Sequence, residues 1–187
     1  AEPYCRIIAS EGYIVANVNY VLVPDKKYPA QAIQANEAIS FLVENADLYN
    51  IDLNNIFIGG DSAGAHLSGY LGAYYTNQEL TSKLDITPAI SPNQLKGVVL
   101  LCGFYDMLRV RETGFPFVND AMWMLTGVKK YENYSRVKEL NTIENVTEYY
   151  PNTYLLCGDK DPFYPQNVEM KAKLEENNVN VTAYLPV

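Results

Sequence analysis

The chain has one histidine, one tryptophan and three cysteines in 187 residues. No apolar run approaches the ~20 residues of a membrane-spanning helix, so no span is expected. Basic residues are in the minority, 14 Lys and Arg against 22 Asp and Glu, for a formal net charge of −8. That balance argues against nucleic acid and anionic membrane surfaces as partners, and the acidity reads as solvated surface. Cys5, Cys102 and Cys157 are odd in number and have no metal-ligand spacing, so neither a disulfide framework nor a metal is expected. Two of them end apolar segments and read as core thiols, which favours a reducing, cytoplasmic setting. With one imidazole in the sequence, any chemistry that needs a base of that type has only His66 to draw on here. Hydrophobic content of 48% against 19% charged is that of a globular chain, and the length suits one domain, 1–187. The sixteen tyrosines suggest no function by themselves.

One stretch stands out, Ile56-Phe57-Ile58-Gly59-Gly60-Asp61-Ser62-Ala63-Gly64-Ala65-His66-Leu67. An apolar run enters Gly60-Asp61-Ser62-Ala63-Gly64, and a helix-like segment follows at once. This is G-x-S-x-G with a strand before it and a helix after it. Such a turn strains the Ser backbone, and Gly60 and Gly64 are expected to keep the crowded space clear. Ser62 would stand at the helix N-terminus as a nucleophile, with the Ala63 N–H aimed at a developing oxyanion. The plainer alternative is a Gly-rich turn whose Ser merely caps the helix.

Taken in order, residues 1–10 read as a helix end stopped by Gly12, and Tyr13–Tyr20 as a buried parallel strand. Val23–Pro29 is a loop, and Pro29 opens a helix whose Ala32, Ala35, Ile39, Leu42, Val43 and Ala46 form one apolar face. Asp52-Leu53-Asn54-Asn55 is turn chemistry. The helix from Ala63 to Thr76 is rich in small residues that would let it lie close to a sheet. A polar loop over 77–93 leads to a strand at Val98–Cys102. Residues 107–151 break the rhythm and read as a helical cap, with Phe115, Phe117, Met122 and Trp123 as pocket or cap-core residues. A strand at Tyr154–Cys157, an acidic loop at Gly158–Phe163, a helix over Pro165–Asn177 with a Glu169/Lys173 pair, and a last alternating strand from Val179 to Leu185 complete the chain. Alternating strands and helices make the fold α/β with a mostly parallel sheet and flanking helices.

Three segments carry a resemblance: Tyr20–Pro24 with Tyr28-Pro29-Ala30, Gly60-Asp61-Ser62-Ala63-Gly64, and Gly158-Asp159-Lys160-Asp161-Pro162. Together they resemble the α/β-hydrolase fold, in its hormone-sensitive-lipase-like and bacterial carboxylesterase groups. Val21 stands where those groups usually have Arg. The resemblance implies Ser62 as nucleophile, Asp161 as the acid that orients the base, Ala63 as oxyanion donor, and no cofactor. Asp159 and Asp106 are rivals for the acid, and Asp161 is preferred on the motif. Asp61 is expected to brace the turn through backbone hydrogen bonds. The family's H-G-G-G oxyanion motif and its base His lie outside these 187 residues. His66, one turn into the helix that Ser62 opens, is read as structural. The implied activity is hydrolysis of small carboxylic esters through an acyl-Ser62 intermediate, with an amidase or peptidase as the nearest variant. The alternative is a non-catalytic binding or structural unit. The resemblance also implies a chain incomplete at both termini, with Tyr13–Tyr20 and Ile56–Gly59 held apart by a strand's width. Oligomeric state is not readable.

Overall fold

Four parallel strands form one sheet in the order β1–β2–β3–β4: β1 (Ile56–Asp61), β2 (Leu95–Leu101), β3 (Asn152–Leu156) and β4 (Val181–Tyr184). Ile58 pairs with Val98, Val98 with Thr153, and Thr153 with Val181. The computed structural model describes residues 2–186. The helices are α1 (Glu2–Ser10), α2 (Ala30–Glu44), α3 (Ala46–Tyr49), α4 (Ala63–Thr76), α5 (Gln78–Thr81), α6 (Val118–Thr126), α7 (Val137–Leu140), α8 (Thr142–Asn145) and α9 (Tyr164–Glu176). All three ladders are parallel, so every connection is a crossover that carries helix.

α4 is the spine. Ala65, Gly69, Gly72 and Ala73 leave so little bulk that a Cβ on Gly72 would sit 3.1 Å from Val98 Cγ2 and 2.9 Å from the Tyr150 hydroxyl. The Tyr150 hydroxyl fills that space and donates to Gly69 O at 2.9 Å. Buried tyrosines recur around it. Tyr28 donates to Glu139 at 2.7 Å and lies 3.1 Å from the Tyr70 hydroxyl, while Tyr75 donates to Asn36 at 2.8 Å. These rings fill core volume and their hydroxyls are hydrogen-bonded, whereas the buried hydroxyls of Tyr105 and Tyr131 have no partner among the described residues.

Several expectations change. Tyr13–Tyr20 is not a buried strand: it carries no ladder, and Tyr13 and Ile14 are exposed. A strand is a pairing as well as an apolar run, and β1 is laddered to β2 alone. The Tyr13 ring stands edge-on to that of Phe57 on β1 at a centroid distance of 6.4 Å. The sheet is also one-sided among the described residues: Val98, Leu100 and Leu155 are buried, whereas Phe57, Tyr154 and Tyr184 on the other face are exposed. The 77–93 loop holds α5, capped by the Asn77 side chain, which accepts from the Glu79 and Leu80 amides. Glu169 does not pair with Lys173; it reaches Arg109 across the molecule. Gly12 does terminate α1, at φ +94. Asp52 does fold the turn before β1, accepting from Asn54 N and Asn55 Nδ2.

Candidate active site

At the C-terminal edge of β1 the chain turns sharply into α4. Ser62 has φ 56 and ψ −117, a region that costs a non-glycine residue about 1–3 kcal/mol. Two bonds hold it there. Ser62 N donates to Leu101 O on the neighbouring strand at 2.9 Å, and Ser62 O accepts from His66 N at 3.0 Å. Its side chain makes no capping bond to α4, so the plain N-cap role does not describe it. Ala63 is the first residue of the helix, where an amide has no intrahelical acceptor. The two glycines of the motif are not equivalent. A Cβ on Gly60 would lie 2.5 Å from Gly64 O and 2.8 Å from Gly64 Cα, whereas one on Gly64 would meet nothing within 4 Å. Asp61 departs from expectation. It is exposed at the end of β1, and its carboxylate makes no hydrogen bond among the described residues.

Asp161 follows β3 on the same sheet edge. Its Oδ1 accepts from Phe163 N at 2.8 Å, and its backbone closes the turn through Asp161 N to Gly158 O at 3.0 Å and Tyr164 N to Asp161 O at 2.9 Å. The second carboxylate oxygen carries no hydrogen bond among the described residues. With β2 between them, the axes of β1 and β3 are about 10 Å apart. The rivals are placed differently. Asp106 is buried and committed: Oδ1 accepts from Leu108 N at 3.0 Å and Arg109 N at 3.3 Å, and Oδ2 pairs with Arg109 Nε at 2.6 Å. Asp159 is exposed in the turn after β3.

His66 is buried, with Nδ1 3.1 Å from Phe104 O and its ring stacked on Phe104 at 4.6 Å. Burial lowers its pKa to about 4, with the bond to Phe104 O opposing part of that shift. It is a neutral ring packed in the core.

Ser62, Ala63 and His66 form one wall of a cavity of about 250 Å³, closed by Val21 and Gln31 on one side and by Met122 and Leu125 of α6 on the other. Gln31 is buried; its Nε2 donates to Val21 O and Lys26 O, while its Oε1 has no partner among the described residues. A larger open groove of about 1120 Å³ lies at the N-terminal edge of the sheet, lined by Asn77, Ile90 and Asn178, and includes none of these site residues. Size alone does not mark a site, and the smaller cavity is the one that meets Ser62.

One group at this edge was not foreseen. Cys102 follows β2, Cys157 follows β3, and their sulfurs lie with an Asp161 carboxylate oxygen inside a 4.8 Å spread. Burial, with the Asp161 charge adding to it, raises the Cys102 thiol and pushes the Cys157 thiol up to about 12. The clue in the sequence is the repeated ending of the two strands, Leu100-Leu101-Cys102-Gly103 and Leu155-Leu156-Cys157-Gly158.

Comparison with known proteins gives concordant results. The family model BD-FAE matches residues 2–174. Esterase LipQ of Mycobacterium tuberculosis (strain ATCC 25618 / H37Rv) is 27% identical over 195 residues, covering 98% of this chain and 43% of LipQ. Esterase LipC of the same strain is 25% identical over 160 residues, covering 84% of this chain and 39% of LipC. The crystal structure of Esterase B from Lactobacillus rhamnosis (HN001) superposes with a TM-score of 0.85 at 25% identity, over 98% of this chain and 58% of that one. The α/β-hydrolase fold is therefore shown, and the chain spans about half the length of these relatives.

Proposed function

The chain belongs to the BD-FAE family, and from that membership and the strained, uncapped Ser62 we propose that it forms the nucleophile-and-acid part of a serine carboxylic-ester hydrolase. The observation that carries the reading is Ser62 at φ 56 on the wall of an apolar cavity, with its hydroxyl left out of helix capping. The named relatives are esterases, which supports the same class.

In this reading Ser62 Oγ attacks the ester carbonyl as its proton passes to an imidazole. The tetrahedral oxyanion is stabilised by the Ala63 N–H at the start of α4, where the helix dipole also favours negative charge. Collapse expels the alcohol and leaves acyl-Ser62, which water then hydrolyses. Asp161 offers its free oxygen to the imidazole and keeps the correct tautomer. The base comes from outside these 187 residues, because His66 Nδ1 is held against Phe104 O and burial makes the ring a weak base. The cavity between α6 and Val21 receives the small apolar part of the substrate. Residues 107–151 act as its cap, and three free thiols suit a reducing cytoplasm.

The test uses a short-chain p-nitrophenyl ester with the 187-residue chain, with a longer protein that contains it, and with Ser62→Ala in both. Turnover in the longer protein should fall at least ~10⁴-fold on Ser62→Ala, and the short chain should not exceed its own Ser62→Ala control. Ser62-independent hydrolysis by the longer protein would overturn the assignment. Ser62-dependent turnover by the short chain would move the base to a residue within it. A longer protein with no hydrolysis would favour the binding or structural alternative.

A further inference from the structure

We propose that Cys102 Sγ, Cys157 Sγ and the Asp161 carboxylate form a binding site for one thiophilic divalent cation of the zinc class. The donors come from two places in the sequence, Cys102 after β2 and Cys157 with Asp161 after β3, and the sheet brings them together. Leu101 pairs with Leu156, so the next residue on each strand stands side by side. The ladder continues one residue further on both: Cys102 N donates to Leu156 O at 2.7 Å, and Cys157 N to Tyr184 O at 3.2 Å. Cys102 then leaves the ladder with φ 51. Asp161 is held by its own turn, which engages Oδ1 with Phe163 N and leaves the other oxygen available.

The donor set selects the cation. Two sulfurs favour soft or borderline ions such as Zn²⁺ and Cd²⁺, while Mg²⁺ and Ca²⁺ seek oxygen. A tetrahedral zinc with two sulfurs and one carboxylate has donor–donor edges of roughly 3.5–3.8 Å. The donors already lie within 4.8 Å of one another, so closure needs shifts of about an ångström. Both cysteines are free thiols. Cys157 is buried, while Cys102 and Asp161 are half-buried, so the cluster is partly open to solvent. Without a cation, ionising both thiols would set three negative charges in one small volume. With it, the balance is M²⁺ plus two thiols plus one carboxylate giving a bis-thiolate complex and two released protons.

The site goes beyond the hydrolase reading, and its effect on activity rests on that reading: a bound cation takes the carboxylate oxygen that Asp161 would offer the base. Binding is tested on the reduced 187-residue chain with Cd²⁺ alone, followed by the thiolate-to-cadmium charge-transfer absorption in the ultraviolet. The band should saturate at one equivalent, release two protons per cation, disappear on addition of excess Zn²⁺, and survive Cys5→Ala. Cys102→Ser should halve the band and weaken binding at least ~10-fold, with the far-ultraviolet circular dichroism unchanged. Asp161→Asn should keep the band and weaken binding ~10-fold. A band that never saturates, or that is lost with Cys5→Ala and kept with Cys102→Ser, overturns the proposal. The two readings fail separately. Cd²⁺ that binds without slowing ester turnover in the longer protein removes the role of Asp161 and leaves the site. Ser62- and Asp161-dependent turnover with no cadmium band removes the site and leaves the enzyme.

Discussion

Replacing Gly60 with alanine should unsettle the whole elbow, and replacing Gly64, its partner in the motif, should not. The new Cβ at Gly60 would be pressed 2.5 Å from Gly64 O and 2.8 Å from Gly64 Cα. These are backbone atoms of the first turn of α4, so no side-chain rotation relieves the overlap. The turn would have to open, disturbing the Ser62 N to Leu101 O bond at 2.9 Å. Forcing a methyl into a packed site costs about 1–3 kcal/mol, and a weakened buried hydrogen bond adds about 1 kcal/mol. A loss of about 3 kcal/mol follows. With a urea m-value of about 2 kcal/mol/M, the denaturation midpoint should fall by about 1.5 M. Gly64→Ala places its methyl where nothing lies within 4 Å, and in a helix. It should hold the midpoint or raise it, because alanine in place of helical glycine stabilises by about 0.5–1 kcal/mol. Urea unfolding followed by circular dichroism measures both. Equal losses at the two positions would refute the steric argument, and so would a Gly60→Ala chain with an unchanged midpoint.

Three further outcomes can be measured on the same chain. His66 is folded with a pKa near 4 against 6.5 unfolded, so the unfolded state binds the extra proton between those values. Stability should therefore fall by up to about 3 kcal/mol as pH drops from 7 to 4, and a His66→Gln chain should show that much less pH dependence in urea midpoints. Tyr150→Phe removes the buried donor to Gly69 O and should lower unfolding stability by about 1–1.5 kcal/mol, with no loss expected if the ring alone matters. Asp106→Asn keeps the acceptor for the Leu108 and Arg109 amides and loses only a half-exposed ion pair, so it should cost under about 1 kcal/mol, whereas Asp106→Ala should cost about 2 by thermal or urea unfolding.

The elbow was legible because its parts are contiguous: an apolar run, two glycines, a serine and a small-residue helix lie within a few positions of one another. The same locality made β2 and β3 readable as apolar runs, β4 from its alternation and α9 from its helix-forming residues. Apolarity tells what Tyr13–Tyr20 could bury, while a ladder depends on a neighbour found elsewhere in space. Glu169 illustrates the same limit. A helix offers Lys173 one turn away, yet Arg109 from a distant loop takes the carboxylate and is shared with Asp106. Gly64 looked as necessary as Gly60 because a motif records which residues occur, and only coordinates show which methyl would collide. The thiol pair was hidden for the reason that made it possible: its members meet only through the register of β2 and β3.

That parallel register has a kinetic side. Ile58 finds Val98, Gly97 finds Asn152 and Thr153 finds Val181, so each ladder must close a loop tens of residues long before any strand bond rewards it. Among the described residues no hairpin offers a local start. Such high contact order places the chain among the slower folders, on the millisecond-to-second side for domains that fold in one step. α2 and α4 can form early from nearby residues. Ser62, Cys102, Cys157 and Asp161 can share an edge only after three strands have docked. During refolding, signals from the sheet-edge thiols should therefore lag behind the recovery of helical circular dichroism, making the candidate site one of the last features to appear.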